Sequence, residues 1–452
     1  MNESESSFIL SNAIIIDGIG DKPIVNHHLL VNNGLIEKLI TNDELTGFKG
    51  IQQINCSGKF IIPGLIDSHI HFFQSGGLFT RPDGLDLRHI KSYEEEFEDI
   101  KKSIPDLFKR YIGCGVTGVI DCGGPFWNFN VKEQAEAVKI APHVAVAGPL
   151  VSTVSREKLD IGDPPIIQAT SEEDARAQVR NCVKYQPIFI KLWFIFNQER
   201  FEEDSLIMKA AIDEAITLNL RVAVHATELE TARRAVQYGA HILVHSVFQE
   251  KVDAEFVQLL LDNEVIYIPT LMVRLGYFDT FRCKSFLPPF EQKYGDRWVI
   301  ESLGKLSSID KNDIPEPYRQ LTEKSEESYP DDARDIMYHN LRVVYEAGVS
   351  IATGTDAGNV GTLHGVSIHR EMQMMEEAGM KPIDIIKAST HIGSLILGKK
   401  DTGKLTLGNQ ADLVVLNSNP LESISNTTDI LIVYKGGIGY KPEELVKTNV
   451  FS

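Results

Sequence analysis

His69 and His71 stand two residues apart in "PGLIDSHIHF" (Pro63 to Phe72), directly after an apolar run. In an extended chain residues i and i+2 share a face. Both imidazoles therefore leave one side of the chain, with Asp67 two residues earlier on that side. Such an edge can chelate a metal ion, which a strand buried only for packing does not need. Four more polar residues sit in or at the ends of apolar, β-branched runs. Lys191 lies within "FIKLWF", His225 ends "VAVHA", His245 ends "ILVHS", and Asp356 ends "ATGTDAG". Taken singly, a strand-end histidine is a hydrogen-bonded bystander and an aspartate before Ala-Gly is a helix cap. The lysine is harder to dismiss, because buried lysines are rare unless paired.

Together these residue types describe one chemistry. Neutral imidazole and carboxylate bind borderline divalent metals such as zinc. An amine buried beside cations loses its proton. The neutral amine can add carbon dioxide, and the resulting carbamate has two oxygens that could bridge two metals. Two divalent ions sharing a hydroxide would bring its pKa toward neutrality. Asp356 would then carry the proton from the attacking water to the leaving group.

Such a set must converge, which requires elements that aim the residues at one point. The run "FIIPGLIDSHIHF" reads as a first strand. It is followed by "VTGVIDCGG", "HVAVAGPLVS", "PIFIKLWF", "RVAVHA", "HILVHSV", "VIYIPTLMV" and "VSIATGTDAG". Helical patterns separate most of them. One is "TSEEDARAQVRNCVKY", where Thr170 and Glu173 have capping-box spacing. Others are expected over residues 205–218, 228–238, 253–261, 367–378 and 383–397. Strands alternating with helices predict a parallel sheet. Eight such units predict an α/β fold of the closed (β/α)8 or TIM-barrel type, whose active sites lie at the C-terminal strand ends. All six residues fall at that end. No Gly-rich phosphate loop follows the first strand, against an open doubly wound sheet.

The termini read differently, as short strand-like pieces with Gly and Asn turns: "NAIIID", "HHLLVNNGLIEKLIT", "GKLTLGNQADLVVLN" and "DILIVYKGG". We expect residues 1–62 and 401–452 to form one small β-sandwich, with the barrel (63–400) inserted between them. The charged, proline-containing stretch 278–335 is expected to form a lid or peripheral helices.

The chain has 452 residues, enough for one large and one smaller domain. Its 63 acidic and 45 basic residues give a net charge of −18. That balance repels phosphate backbones and anionic lipid, so neither nucleic acid nor membrane is expected as a partner. No apolar run has the length of a membrane span, and no signal peptide is visible. Five scattered cysteines without a CxxC pair suit a reducing compartment. A cytoplasmic homo-oligomer acting on a small molecule is expected.

Through "PGLIDSHIHF", "FIKLWF", "VAVHATE", "ILVHSV", "ATGTDAG" and "GKLTLGNQADLVVLNSNPL" the chain resembles the amidohydrolase superfamily over nearly its whole length. "HATELETARRAVQYGAHILVHS" and "GTLHGVSIHREM" are most similar to its imidazolonepropionase-related, prolidase-like branch. The resemblance implies that His69, His71 and Asp356 hold the more buried of two metal ions, most simply zinc. It implies that His225 and His245 hold the second, and that carboxylated Lys191 bridges them. Imidazolonepropionases and deaminases typically use one metal and lack that lysine, so Lys191 points away from them. The implied activity is hydrolysis of a C–N bond in a dipeptide or N-acyl amino acid by a metal-bridging hydroxide, with Asp356 as proton shuttle. A lactone, ester or cyclic-amide hydrolase on the same binuclear site is the alternative, and a catalytically inactive scaffold the third reading. For substrate contacts we expect Arg274 and Tyr277 after the seventh strand, Arg156 after the third and His364 after the eighth. Arginine is favoured because its fork matches a carboxylate. Trp193, Glu228, Arg81 and Arg88 are further candidates.

Overall fold

The computed structural model describes residues 7–282, 287–322 and 331–446. Parallel strands close into a barrel with helices outside. The barrel strands are, in order, Leu65–Ile70, Val116–Asp121, a third in two pieces (His143–Val146 and Leu150–Ser152), Ile190–Trp193, Val222–His225, Ile242–Val244, Ile266–Ile268 and Ser350–Ile351. The ladder is parallel throughout. Closure comes from the eighth strand and its extension meeting the first. Ser68 N donates to Thr353 O at 2.8 Å, Asp356 N to His69 O at 2.7 Å and His71 N to Ala357 O at 2.8 Å.

The two ends of the chain build a sandwich. One sheet contains Phe8–Ser11, His27–Asn32, Leu35–Thr41 and Gln52–Asn55. The other contains Ile14–Ile15, Phe60–Pro63, Leu413–Leu416, Ile430–Lys435 and Ile438–Tyr440. Phe8, Leu10, Leu29, Val31, Ile61, Leu413 and Val415 pack between them. Alternation supplies this core, since every second residue of a strand faces inward.

Several elements differ from the sequence expectation. "FIIPGLIDSHIHF" is two strands, not one. Phe60–Pro63 pairs with Leu413–Leu416 in the sandwich, and Leu65–Ile70 pairs with Val116–Asp121 in the barrel. The chain changes domain at Gly64, where a Cβ would lie 2.1 Å from Thr117 Oγ1. Only glycine fits so close an approach. The third strand breaks around Gly148, which has φ +79°. A short strand not foreseen, Ile166–Gln168, pairs beside Leu150–Ser152. The seventh strand stops at Ile268, and Leu271–Phe281 is a helix rather than further strand. Pro269 cannot donate to a ladder, and Thr270 turns left-handed at φ 45°.

The helix Glu172–Val183 is capped by Ser171, which accepts from Asp174 N, one residue later than the spacing of Thr170 and Glu173 indicated. Residues after 281 form Pro289–Tyr294, Arg297–Gly304, Glu316–Thr322 and Asp331–Glu346, helices outside the barrel. No helix among the described residues is long and apolar enough to cross a membrane. Cys56, Cys114, Cys122 and Cys182 are buried free thiols; Cys283 lies outside the described residues.

Candidate active site

His69, His71, Lys191, His225, His245 and Asp356 all line one cavity of about 240 Å³ at the C-terminal ends of the barrel strands. Each lies in a barrel strand or in the run that follows one. Period-2 alternation sends His69 and His71 to the same side of the first strand, with their Nε2 atoms 3.2 Å apart. Asp356 Oδ1 is 3.0 Å from His71 Nε2 and 3.5 Å from His69 Nε2. The His225 and His245 rings lie 4.2 Å apart, and His245 is 5.0 Å from His69, all between centroids.

The backbone bends to aim these groups. His245, Thr270 and Asp356 have φ of 78°, 45° and 61°, the left-handed region that side chains disfavour. Such residues cost about 1–3 kcal/mol each and cluster at functional sites. Hydrogen bonds hold them: His245 N donates to Ile268 O at 2.8 Å, and Asp356 N to His69 O.

The hydrogen-bond pattern suits a cation. His71 Nδ1 is 2.6 Å from Gly123 O. A carbonyl only accepts, so Nδ1 carries a proton and Nε2 is the nitrogen turned to the cavity. That nitrogen faces a carboxylate oxygen and a second imidazole, and the three residues offer ligand atoms within 4.8 Å of one another. His69 Nδ1, Lys191 Nζ and Asp356 Oδ1 are buried with no hydrogen-bond partner among the described residues. Buried polar atoms are seldom left so. The donor set, imidazole and carboxylate converging in a buried pocket, fits a divalent metal. Burial pushes His69, His225 and His245 well below the usual imidazole range, and the Lys191 amine reinforces this. Burial lowers Lys191 as well. Each is thus biased toward the neutral form that can coordinate.

Asp67, expected on the chelating edge, is turned to a different task. It accepts from Thr355 N at 3.0 Å, Thr355 Oγ1 at 2.7 Å and His69 N at 3.3 Å. It clasps the first strand to the eighth directly before Asp356. Burial raises its carboxyl to about 7, against the lowering effect of those bonds.

Of the expected substrate contacts, Tyr277 lines the cavity, and Arg274, Arg156 and His364 do not. Arg274 lies on the helix Leu271–Phe281, its guanidinium 5.0 Å from the Phe248 ring centroid. Arg156 lies 4.8 Å over Trp193, which does line the cavity. His364 is 3% exposed, with Nε2 2.8 Å from Gln74 O and Nδ1 2.6 Å from Tyr111 Oη. Glu228 accepts from Thr227 and Gln249, and Arg88 pairs with Asp86, both off the cavity.

Arg81 is the guanidinium that reaches the cavity. Its Nε and Nη2 each donate at 2.8 Å to Asp83, and Nη1 donates at 2.8 Å to Asn359. Arginine has five N–H donors, so two remain. Asn359 also accepts from Tyr277 Oη at 3.3 Å and donates to Asp356 O at 3.2 Å. Asn359 was not singled out in the sequence; its place three residues after Asp356 was the available signal. Leu150, Leu159, Ile166 and Trp193 form the apolar wall.

The model of the amidohydrolase family matches residues 60–438. The ochratoxinase of Aspergillus niger is 25% identical, across 96% of this chain and 86% of that protein. A solved structure of A. niger ochratoxinase superposes with TM-score 0.69 at 21% identity, covering 97% of this chain and 96% of that one. The crystal structure of a Xaa-Pro dipeptidase with methionine in its active site gives TM-score 0.69 at 22% identity, covering 96% of this chain and all of that one.

Proposed function

Since the chain belongs to the amidohydrolase family, we propose that this hydrolase cleaves the C–N bond of a small carboxylated amide such as a dipeptide or N-acyl amino acid. The observation that carries the reading is the convergence of six potential ligands, three with unpartnered buried atoms, at the floor of one small cavity. His69, His71 and Asp356 would hold one divalent ion, His225 and His245 a second, and carboxylated Lys191 would bridge them, zinc being the simplest choice for this donor set. Such ions supply Lewis acidity, polarising a carbonyl and acidifying water.

The protein's own groups do the rest. Asp356 takes the proton of the attacking water and delivers it to the leaving nitrogen. The two remaining Arg81 N–H groups receive the substrate carboxylate, while Asp83 fixes the guanidinium plane. Because Asn359 ties Arg81 to the loop of Asp356, carboxylate and scissile bond are placed relative to one another. Trp193 and the Leu150, Leu159 and Ile166 side chains receive an apolar group. The names of the similar proteins, an ochratoxinase and a Xaa-Pro dipeptidase, support the amide reading. Four buried free thiols suit the reducing cytoplasm.

A zinc-supplemented preparation should contain close to two metal ions per chain by elemental analysis and should hydrolyse members of a dipeptide and N-acyl amino acid library. A reproducible value near one would restrict binding to the His69, His71 and Asp356 group. Arg81→Met should lower kcat/KM for free-acid substrates about 10- to 100-fold, the ~1.5–3 kcal/mol of a hydrogen bond to a charged group. Carboxamide-capped analogues, compared in the same variant, should lose far less. Equal losses on both would refute carboxylate recognition by Arg81.

A further inference from the structure

Thr270 occupies the N-cap position of the helix Leu271–Phe281 but makes no side-chain capping bond. A threonine there ordinarily accepts from the N–H two or three residues on. Here its hydroxyl lies 2.6 Å from His245 Nδ1 instead. The helix start is served from elsewhere. Glu371, fully buried on the helix Ser367–Glu377, accepts from Leu271 N at 2.9 Å and Met272 N at 2.6 Å, one with each carboxylate oxygen. Two donors that helices leave unsatisfied are thereby paired, by a residue a hundred positions away.

We propose that Glu371 is a positioning residue: by capping this helix in place of Thr270 it frees the Thr270 hydroxyl to hold the His245 ring. The segment 268–272 then acts as a bracket. Ile268 O and Pro269 O accept from His245 N and Ser246 N at 2.8 and 3.0 Å. Thr270 Oγ1 fixes the ring on the Nδ1 side, and Glu371 pins the far end. With Nδ1 engaged, Nε2 is the nitrogen left for the cavity. Without Glu371, the orphaned N–H groups would compete for the Thr270 hydroxyl, the acceptor that an N-cap residue offers, and the ring would be released. Groups holding the second nitrogen of a ligating histidine tune metal affinity in this way.

The inference rests on His245 being a metal ligand for its effect on metal, but the bracket itself can be tested without metal. In the full-length chain, labelled with ¹⁵N-histidine and stripped of metal, the His245 Nδ1 signal should move in Thr270→Val and in Glu371→Gln. Gln retains one acceptor oxygen, so its effect should be smaller than that of Glu371→Ala. Zinc titrated against a chromophoric chelator should bind about 10- to 100-fold more weakly in Glu371→Gln. The double variant with Thr270→Val should be no worse than the weaker-binding single, because both act through one contact. If Glu371→Gln does not fold, Glu371→Asp draws the same two oxygens back by one methylene and should shift the same signal. An unmoved His245 signal in the folded Glu371 variant overturns the proposal. A moved signal with unchanged zinc affinity supports the bracket and overturns His245 as a ligand.

Discussion

Asp356→Asn is expected to lower kcat on an amide substrate by at least ~10²-fold, the lower range for general acid–base catalysis. The substitution keeps the side-chain shape, and asparagine tolerates the left-handed backbone found at this position. The bond from residue 356 N to His69 O that closes the barrel uses main chain alone. What is lost is a carboxylate able to take a proton from water and release it to nitrogen. Much of the metal should remain, since the other five candidate ligands are untouched, and elemental analysis checks this. An amine leaves poorly unless protonated. The loss should therefore be smaller for an activated ester than for an amide with a basic leaving group. Equal losses would reduce Asp356 to a ligand. His364 could not then replace it. Its Nε2 donates to a carbonyl, its Nδ1 accepts from Tyr111, and burial holds it down at about 4.

Lys191→Ala should abolish most activity and weaken metal binding by more than about 100-fold, beyond what removing a mere supporting group costs. Lys191 is 1% exposed and its Nζ has no hydrogen-bond partner among the described residues. A buried ammonium with no hydrogen-bond partner would cost several kcal/mol, roughly, which the field of Asp356 offsets only in part, so that burial still lowers Lys191. The carboxylation proposed above would remove that buried ammonium. Truncation leaves space on the barrel axis that a short carboxylic acid can occupy. Added acetate or propionate should restore part of both activity and metal content. A variant that keeps wild-type metal content would remove Lys191 from the bridging position.

The positions of the six candidate ligands were legible because each sits in or soon after an apolar, strand-like run, which is a local signal. A histidine two residues from another, or at the end of an apolar run, marks a strand end, although the left-handed turn that aims His245 is not written there. The barrel was legible for the same reason, from repeated strand and helix signals. What escaped the sequence depends on distant partners. Asp67 looks like a chelator until Thr355 is seen beside it. Arg274 follows an apolar run that reads as strand, but Pro269 and the left-handed Thr270 turn that run into helix, which carries the side chain to Phe248. Glu371 lies in "HREMQMMEE", a stretch whose charges look solvated, and only packing shows this one to be buried. Gly64 resembles any strand glycine until Thr117 closes on it.

The crossing at Gly64 also bears on how the chain is made. Phe60–Pro63 finds its antiparallel partner, Leu413–Leu416, only near the far end of the chain. During synthesis from the N-terminus, the four-stranded sheet of residues 8–55 and the pairing of Phe60–Pro63 with Ile14–Ile15 need no later residue, but the other side of Phe60–Pro63 must wait until the whole barrel has emerged. Until then this strand, which precedes the one carrying His69, presents an unpaired edge, the kind of surface that templates aggregation. Pairings between such distant segments also slow folding. A nascent chain stalled before Leu413 should thus be captured by holdase chaperones, and release of the last strands should be the step that both frees it and sets the first two histidines in place.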